Sequence, residues 1–475
     1  MELRGLGDPG LARALILLAV LTAVRLAVAA AAPLSPDEAY YWVWSRGLQA
    51  GYLDHPPMVA LWIRAGTTLA GHGVFGVRLL APLAAALGSV LLARAAEDLF
   101  AGRRLGVPAA ALLNATLLMG AGAVTMTPDT PLLFFWTATL WSVARLQATG
   151  RPSWWLVAGL MAGCALDSKY TASLLGAGLA LWLVAAPDGR RWLRTPWPWA
   201  GGLLAGLSFA PVLWWNAGHG WVSFLKQGGR TGDWRPSQAL SHIGELVASQ
   251  IGLATPLVAI LCGAGVWAAA RRWRTGAAPA LLAALTLPGV AVFTQHAIGD
   301  RVQANWPAIL FPAACIAAAA YAPRYWRQAS ALGLAIGVLV YVQAATAILP
   351  LPRSLDPTLI RLGGWDDLAR DVAARHPAFV AADNYGVASI LAHDLTVPVL
   401  GVEPRWQSFD LPRQGAATAG LLLHSQRRAG PPDAEPWATM EPAGTLVRAR
   451  NGIAAERFDL FLVTPRQDMV RLPGR

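Results

Sequence analysis

The sequence is short of charge, cysteine and lysine. Only 14% of its 475 residues are Asp, Glu, Lys or Arg, against 55% hydrophobic residues and a mean hydropathy of +0.43, a balance that excludes an ordinary soluble domain. The three cysteines, Cys164, Cys262 and Cys315, lie inside apolar runs. A disulfide framework is therefore excluded, and each is expected to be a small buried hydrophobe. No G-x-x-x-x-G-K-[ST] loop occurs, which argues against nucleotide hydrolysis, and no H-x-x-x-H spacing offers a tight metal pair. No internal repeat of the kind that builds transporter halves is present. Lysine is nearly missing: Lys169 and Lys226 are the only two among 38 basic residues.

What the chain does have is a series of apolar runs, each near the ~20 residues that cross a bilayer as helix. Candidate spans fall near 11–33, 74–96, 107–125, 131–147, 154–166, 171–186, 198–216, 246–269, 278–295, 304–321 and 329–349, about eleven in all. The first is too long for a signal-peptide core and leads directly into further spans, so it reads as a membrane helix. Basic clusters fall in alternate loops: Arg4, Arg103-Arg104, Arg145 with Arg151, Arg190-Arg191 with Arg194, the run "RRWR" at 271–274, and Arg324 with Arg327. The intervening loops carry Asp37, Glu38, Asp54, Asp129, Asp167, Asp233 and Asp300. The positive-inside rule then sets the N-terminus in the cytoplasm and the acidic loops outside. The net charge of +11 is explained by topology-setting arginine facing anionic lipid, and nucleic acid is not an expected partner.

Two domains follow. Residues 1–350 form a mainly α, polytopic membrane domain. Residues 351–475, where Asp, Glu, Arg, His and Pro mix with short apolar runs, form a small outer α/β domain. Within it "AFVAADNY", "VPVLGV", "TAGLLLHS" and "FDLFLVTP" read as strands, and 365–375 and 385–394 as helices.

The first outer loop, 34–73, concentrates chemistry. It reads "SPDEAYYWVWSRGLQAGYLDHPP" from Ser35 to Pro57 and predicts two short interfacial helices, one with Tyr41, Trp44, Ser45 and Leu48 on a shared face, interrupted by the paired prolines. An aromatic belt has no need of three carboxylates near a low-dielectric boundary, where an ionised acid is costly unless paired or put to use. Cations gather in the other outer loops: Lys169 in "LDSKYT", Lys226 and Arg230 in "FLKQGGRTGDWRPSQ", and His296 in "QHAIGDRVQANWP". A carboxylate base and cations for a phosphate leaving group are what transfer from a phosphorylated lipid to a hydroxyl acceptor requires.

"SPDEAYYWVWSRGLQAGYLDHPPMVALWI" resembles the first outer loop of bacterial glycosyltransferase family 39-like membrane enzymes of the GT-C superfamily, a group related to protein O-mannosyltransferases and lipid A aminoarabinose transferases. "DSKYTASLL" and "QANWPA" resemble the same group. The resemblance implies a GT-C-like membrane domain over roughly residues 11–350, in the bacterial inner membrane with its active site and C-terminal domain facing the periplasm. It implies an inverting hexosyl- or pentosyltransferase that moves a sugar from a polyprenyl-phosphate carrier to a lipid, glycan or protein acceptor, with lipid A modification as one instance. It makes Asp37 the general base and places Asp54 in the same cavity or against a metal. Lys169 matches a cavity lysine, and His55 stands where aminoarabinose transferases carry lysine. Glu38 is the neighbouring catalytic candidate and Tyr40 a substrate-binding one. Lys226, Arg230 and His296 rest on the phosphate argument alone. A divalent metal is left open, with Asp54, His55 and His296 as its conceivable ligands.

Each residue has a structural alternative. Asp37 caps a helix beginning at Glu38 or Ala39, Lys169 snorkels at a span end, and His55 and His296 are hydrogen-bonded interface histidines. For the whole chain the alternative is a transporter or flippase of lipid-linked sugars, which would place its charges and helix breaks near mid-membrane.

Overall fold

The computed structural model describes residues 9–228, 235–414 and 419–474. The chain forms two compact units. One comprises residues 1–27, 53–59 and 80–338; the other comprises 28–52, 60–79 and 339–475. The first outer loop is therefore distributed between them: its segments 34–52 and 60–73 belong with the C-terminal residues, and 53–59 with the other unit.

The regular elements of the first unit's described residues are all helices. All eleven apolar stretches of the sequence lie on helix, but among the described residues four helices are long and apolar enough to cross a membrane: Pro9–Ala31, Val74–Leu99, Ala277–Gly299 and Trp326–Thr346. The pair Ala239–Ala254 and Pro256–Arg271, bent by 108°, makes a fifth if it is one span. About eleven crossings is thus more than length and apolarity secure, because several stretches are short or interrupted. Residues 107–125 break between Gly106–Asn114 and Leu117–Gly122, where Thr116 caps the second helix through its side chain. The bend at 255 has Thr255 at φ +67° directly before Pro256, a proline being unable to continue the preceding helix's hydrogen bonding.

Small residues bring the helices of this unit close. A Cβ on Gly159 would meet the Gly201 carbonyl oxygen at 2.1 Å, so Trp154–Leu166 and Trp197–Gly218 approach backbone to backbone, the usual device where lipid supplies no hydrophobic drive. Cys262 and Cys315 are buried and unbridged, with sulfurs 3.8 Å apart; Cys164 is partly exposed.

The second unit carries a seven-stranded sheet: β1 (Val380–Ala382), β2 (Val399–Gly401), β3 (Arg413–Gln414), β4 (Gly420–Ser425), β5 (Trp437–Arg450), β6 (Ile453–Pro465) and β7 (Met469–Leu472). Its order is β3-β7-β2-β1-β4-β6-β5, with β1 parallel to both β2 and β4 and the remaining pairs antiparallel. The four expected strands coincide with β1, β2, β4 and β6, and the expected helices with Trp365–Ala373 and Tyr385–Asp394. Phe379, Ala381, Leu400, Leu422, Trp437 and Val463 form its buried core. β5 and β6 are joined through Asn451 and Gly452, at φ +52° and +78°, the two left-handed residues that a tight hairpin matching the strand twist demands.

Candidate active site

In the second unit, the sequence Ser35-Pro-Asp-Glu38 starts the helix Pro36–Arg46. Ser35 is the N-cap: its hydroxyl accepts from Glu38 N, while Glu38 Oε2 accepts from Ser35 N at 3.0 Å, a reciprocal capping box with proline at the first helical position. The capping alternative for Asp37 is thereby overturned, since a serine two residues earlier holds that position.

Glu38 is fully buried. Arg78 grips both its oxygens, Nε to Oε1 at 2.6 Å and Nη2 to Oε2 at 2.7 Å, and also donates to the carbonyls of Ala29, Ala32 and Pro33. A carboxylate so occupied anchors the chain, and its geometry is that of a scaffold. Asp37, one residue earlier, has a side chain 39% exposed. Its Oδ1 accepts from the Tyr385 hydroxyl at 3.2 Å, and its Oδ2 lies 3.5 Å from Arg361 Nη1.

The aromatic residues of this helix form a core instead of a lipid-facing belt. Tyr40, Trp42 and Trp44 are buried, because the ring of Tyr40 packs on Tyr385 (4.6 Å between centroids), Trp406 and Phe409, and Trp44 stacks on Tyr52 at 4.2 Å. Tyr40 therefore stands within a ring cluster. Leu48, expected on the same face, lies beyond the helix end and is exposed.

In the first unit, Lys169 is 5% exposed, and its ammonium donates to Asp129 Oδ1 at 2.7 Å. Asn305 of "QANWP" donates to the other oxygen of Asp129 at 2.6 Å. A lysine chosen only to snorkel would reach for solvent; this one is turned inward onto a carboxylate. Lys226 pairs with Asp54, 172 residues away in sequence, and Gln227 donates to the Asp54 carbonyl at 2.7 Å. The Asp167 carbonyl accepts from Met58 N at 2.9 Å, tying the residues after "HPP" to the turn that presents Lys169. Burial pushes the Asp167 carboxyl up to about 7. Nearby, Tyr170, Ser223 and Asn216 form a hydrogen-bonded chain.

His296 is buried against the ring of Trp306, 5.3 Å between centroids, and His55 is partly buried beside Asp54. Among the described residues no three His, Cys, Asp or Glu side chains converge as a metal site, so Asp54, His55 and His296 are not assembled as a ligand set. Arg230 and Asp233 lie outside the described residues.

The structure thus joins Lys169 to Asp129, Lys226 to Asp54 and Glu38 to Arg78. Sequence reasoning missed Asn305 and Arg361 as site residues. Asn305 lay inside a motif already noticed and Asp129 in an acidic outer loop, whereas Arg361 carried no signal.

The family described as dolichyl-phosphate-mannose-protein mannosyltransferase matches residues 54–215, a stretch that contains Asp54, His55, Asp129 and Lys169. The chain is 29% identical over 360 residues to the lipid A galacturonosyltransferase RgtD of Rhizobium johnstonii, covering 71% of this chain and 72% of that protein. In fold it is similar to ArnT from Cupriavidus metallidurans, in the apo state (TM-score 0.64, 16% identity, 95% of this chain and 98% of that one) and bound to undecaprenyl phosphate (TM-score 0.63, 16% identity, 98% and 100%). The resemblance of the chain to glycosyltransferase family 39-like membrane enzymes of the GT-C superfamily therefore stands, in sequence through residues 54–215, which begin within the opening motif, and in fold through 95% of the chain.

Proposed function

We propose that the protein is a multi-pass glycosyltransferase of the bacterial inner membrane that moves a sugar from a polyprenyl-phosphate carrier to an acceptor on the periplasmic side. Residues 1–350 form its membrane catalytic part and 351–475 its outer domain. The observation that carries this reading is the buried Lys169–Asp129 pair with Asn305 on its second oxygen. An ammonium kept out of water on an acid is poised to exchange part of that contact for a phosphate. Support comes from the likeness to a lipid A galacturonosyltransferase and from the shared fold with a protein bound to undecaprenyl phosphate. Lipid A and polyprenyl-phosphate galacturonate are accordingly the first acceptor and donor to try.

In this mechanism Asp37 accepts the proton of the acceptor hydroxyl as its oxygen bonds to the anomeric carbon from the face opposite the phosphate. The bond from that carbon to the phosphate oxygen breaks, and its electron pair leaves on polyprenyl phosphate. Lys169 and Lys226 neutralise the phosphate charge, and configuration inverts. Asp37 returns the proton to solvent. Asp54 holds Lys226 in position for this task.

The test uses purified full-length protein, radiolabelled polyprenyl-phosphate galacturonate and lipid A. Wild type labels lipid A, and Asp37→Asn lowers the rate at least about a hundredfold with thermal stability nearly unchanged, because Ser35 and Glu38 supply the cap. Transfer at the parental rate by Asp37→Asn would remove Asp37 as base. Absence of labelled product with wild type would overturn this donor and acceptor pair.

A further inference from the structure

We infer that the C-terminal domain supplies a positioning residue for the base: Tyr385 holds the Asp37 carboxylate in its reactive orientation. The inference rests on the reading of Asp37 as base given above. Its geometry lies wholly within the second unit.

The hydroxyl of Tyr385 donates to Asp37 Oδ1 at 3.2 Å across 348 residues of sequence. Tyr385 is fixed from several directions. It opens the helix Tyr385–Asp394, whose N-cap Asn384 accepts from Gly386 N and Val387 N. Its own N–H donates to Glu403 Oε1 at 3.0 Å, and Glu403 in turn accepts from Arg405 Nε at 2.6 Å. The Arg405 guanidinium lies 3.8 Å from the centre of the Tyr385 ring, and the Tyr40 ring packs on it at 4.6 Å. The ring thus has a cation–π contact and an aromatic contact, both of which favour one placement. A phenol so constrained aims its proton at one place.

The sheet explains why this place is available. β1 pairs in parallel with both β2 and β4, and the carboxyl end of such a strand is where α/β domains usually receive a ligand. Asp383, Asn384 and Tyr385 follow β1 directly and lead into helix Tyr385–Asp394. The start of helix Pro36–Arg46 comes close to this point: a Cβ on Gly386 would meet Pro36 Cβ at 2.7 Å. Asp37, at the second position of that helix, is presented to Tyr385 by this close approach.

The arrangement suits a general base. Tyr385 occupies one oxygen through a single neutral donor and leaves the carboxylate 39% exposed, in contrast to Glu38. Arg361, 66% exposed at 3.5 Å, contributes little, because an exposed ion pair is screened.

The experiment measures transfer kinetics of purified full-length wild type, Tyr385→Phe, Asp37→Asn and the double variant on radiolabelled polyprenyl-phosphate galacturonate and lipid A, with thermal unfolding recorded for each. Tyr385→Phe is expected to lower kcat about 10- to 100-fold, the scale of losing a hydrogen bond to a charged group, with KM and unfolding temperature near wild type. On the Asp37→Asn background, Tyr385→Phe is expected to change the residual rate less than about twofold, since residues acting as one unit are not additive. An unchanged kcat in Tyr385→Phe, or a loss that multiplies with that of Asp37→Asn, overturns the positioning role while leaving Asp37 as base. Wild type and Asp37→Asn transferring at equal measurable rates would overturn the reading of Asp37 as base, and the positioning role with it.

Discussion

In the helical unit, the acids Asp129 and Asp54 are held by Lys169 and Lys226; in the unit that contains helix Pro36–Arg46 and the sheet, Glu38, Asp356 and Glu456 are held by Arg78, Arg450 and Arg448. Arginine also pairs acids in the helical unit, at Asp98 and Glu245, but there the guanidinium is partly or largely exposed. The chain has only two lysines, and neither serves as a surface charge. Arginine's planar fork fixes several acceptors at once, as Arg78 does with a carboxylate and three carbonyls. An ammonium is a compact charge that turns from one oxygen to another. The two regions thus differ in the cation that holds these acids: a guanidinium that fixes several acceptors at once, or an ammonium that acts as a point charge.

The comparison is broken most severely at Arg78. Arg78→Met leaves Glu38 buried without its cation and is expected to cost about 3–5 kcal/mol, seen as a large drop in unfolding temperature and in yield of folded protein. A stable Arg78→Met protein would show that Glu38 is not a scaffold residue. Next comes Lys169→Met, expected to slow transfer by about two orders of magnitude, corresponding to about 3 kcal/mol of transition-state stabilisation. Lys169→Arg should retain part of the rate, and equal wild-type rates for both would make Lys169 structural. Asp54→Asn is expected to raise KM about tenfold with a smaller effect on kcat, the mark of a residue that holds Lys226 for binding and takes no part in bond making; an equal fall in kcat would assign it a chemical role.

The smallest effect concerns Asp167. Burial raises its carboxyl from 3.8 to about 7, so the folded protein resists ionisation while the unfolded chain ionises from pH ~4. The sign follows: protons are bound more tightly in the folded state, and wild type loses stability as pH rises from ~4 to ~7 and then levels off. Asp167→Asn should lack that slope, which thermal unfolding of the two proteins across pH 4–8 measures. Parallel curves would show that the carboxyl ionises normally.

Much of this was legible in the sequence, and the omissions have physical causes. Period and apolar runs placed helix on all eleven stretches and found β1, β2, β4 and β6. The hairpin partner β5 was missed although Asn451-Gly452 marks the turn, because residues 437–450 are largely solvent-facing and do not alternate cleanly. The capping box was legible too: Ser35 and Glu38 have the S-x-x-E spacing, and it assigns the cap to Ser35 instead of Asp37. Nothing local could show that Glu38 meets Arg78 or that Asp129 meets Lys169, each pair being 40 residues apart. The break at Thr255 was marked by Pro256, but the 108° bend that follows is not set by an apolar run, and the number of crossings depends on such bends.

The separation of 348 residues between Asp37 and Tyr385 also sets a timetable. A ribosome adding about 5–20 residues per second needs about 20–70 s to travel that distance. Glu38 receives Arg78 within the first few seconds of the same interval, so the capped helix and its buried ion pair are complete long before the phenol that steadies its neighbour has been synthesised. During biogenesis the chain therefore passes through a period in which the opening segment is already synthesised and Asp37 is not yet held by Tyr385. That contact arrives late, with the sheet, so a chain interrupted before Tyr385 has Ser35, Glu38 and Arg78 but lacks the phenol that Asp37 accepts from.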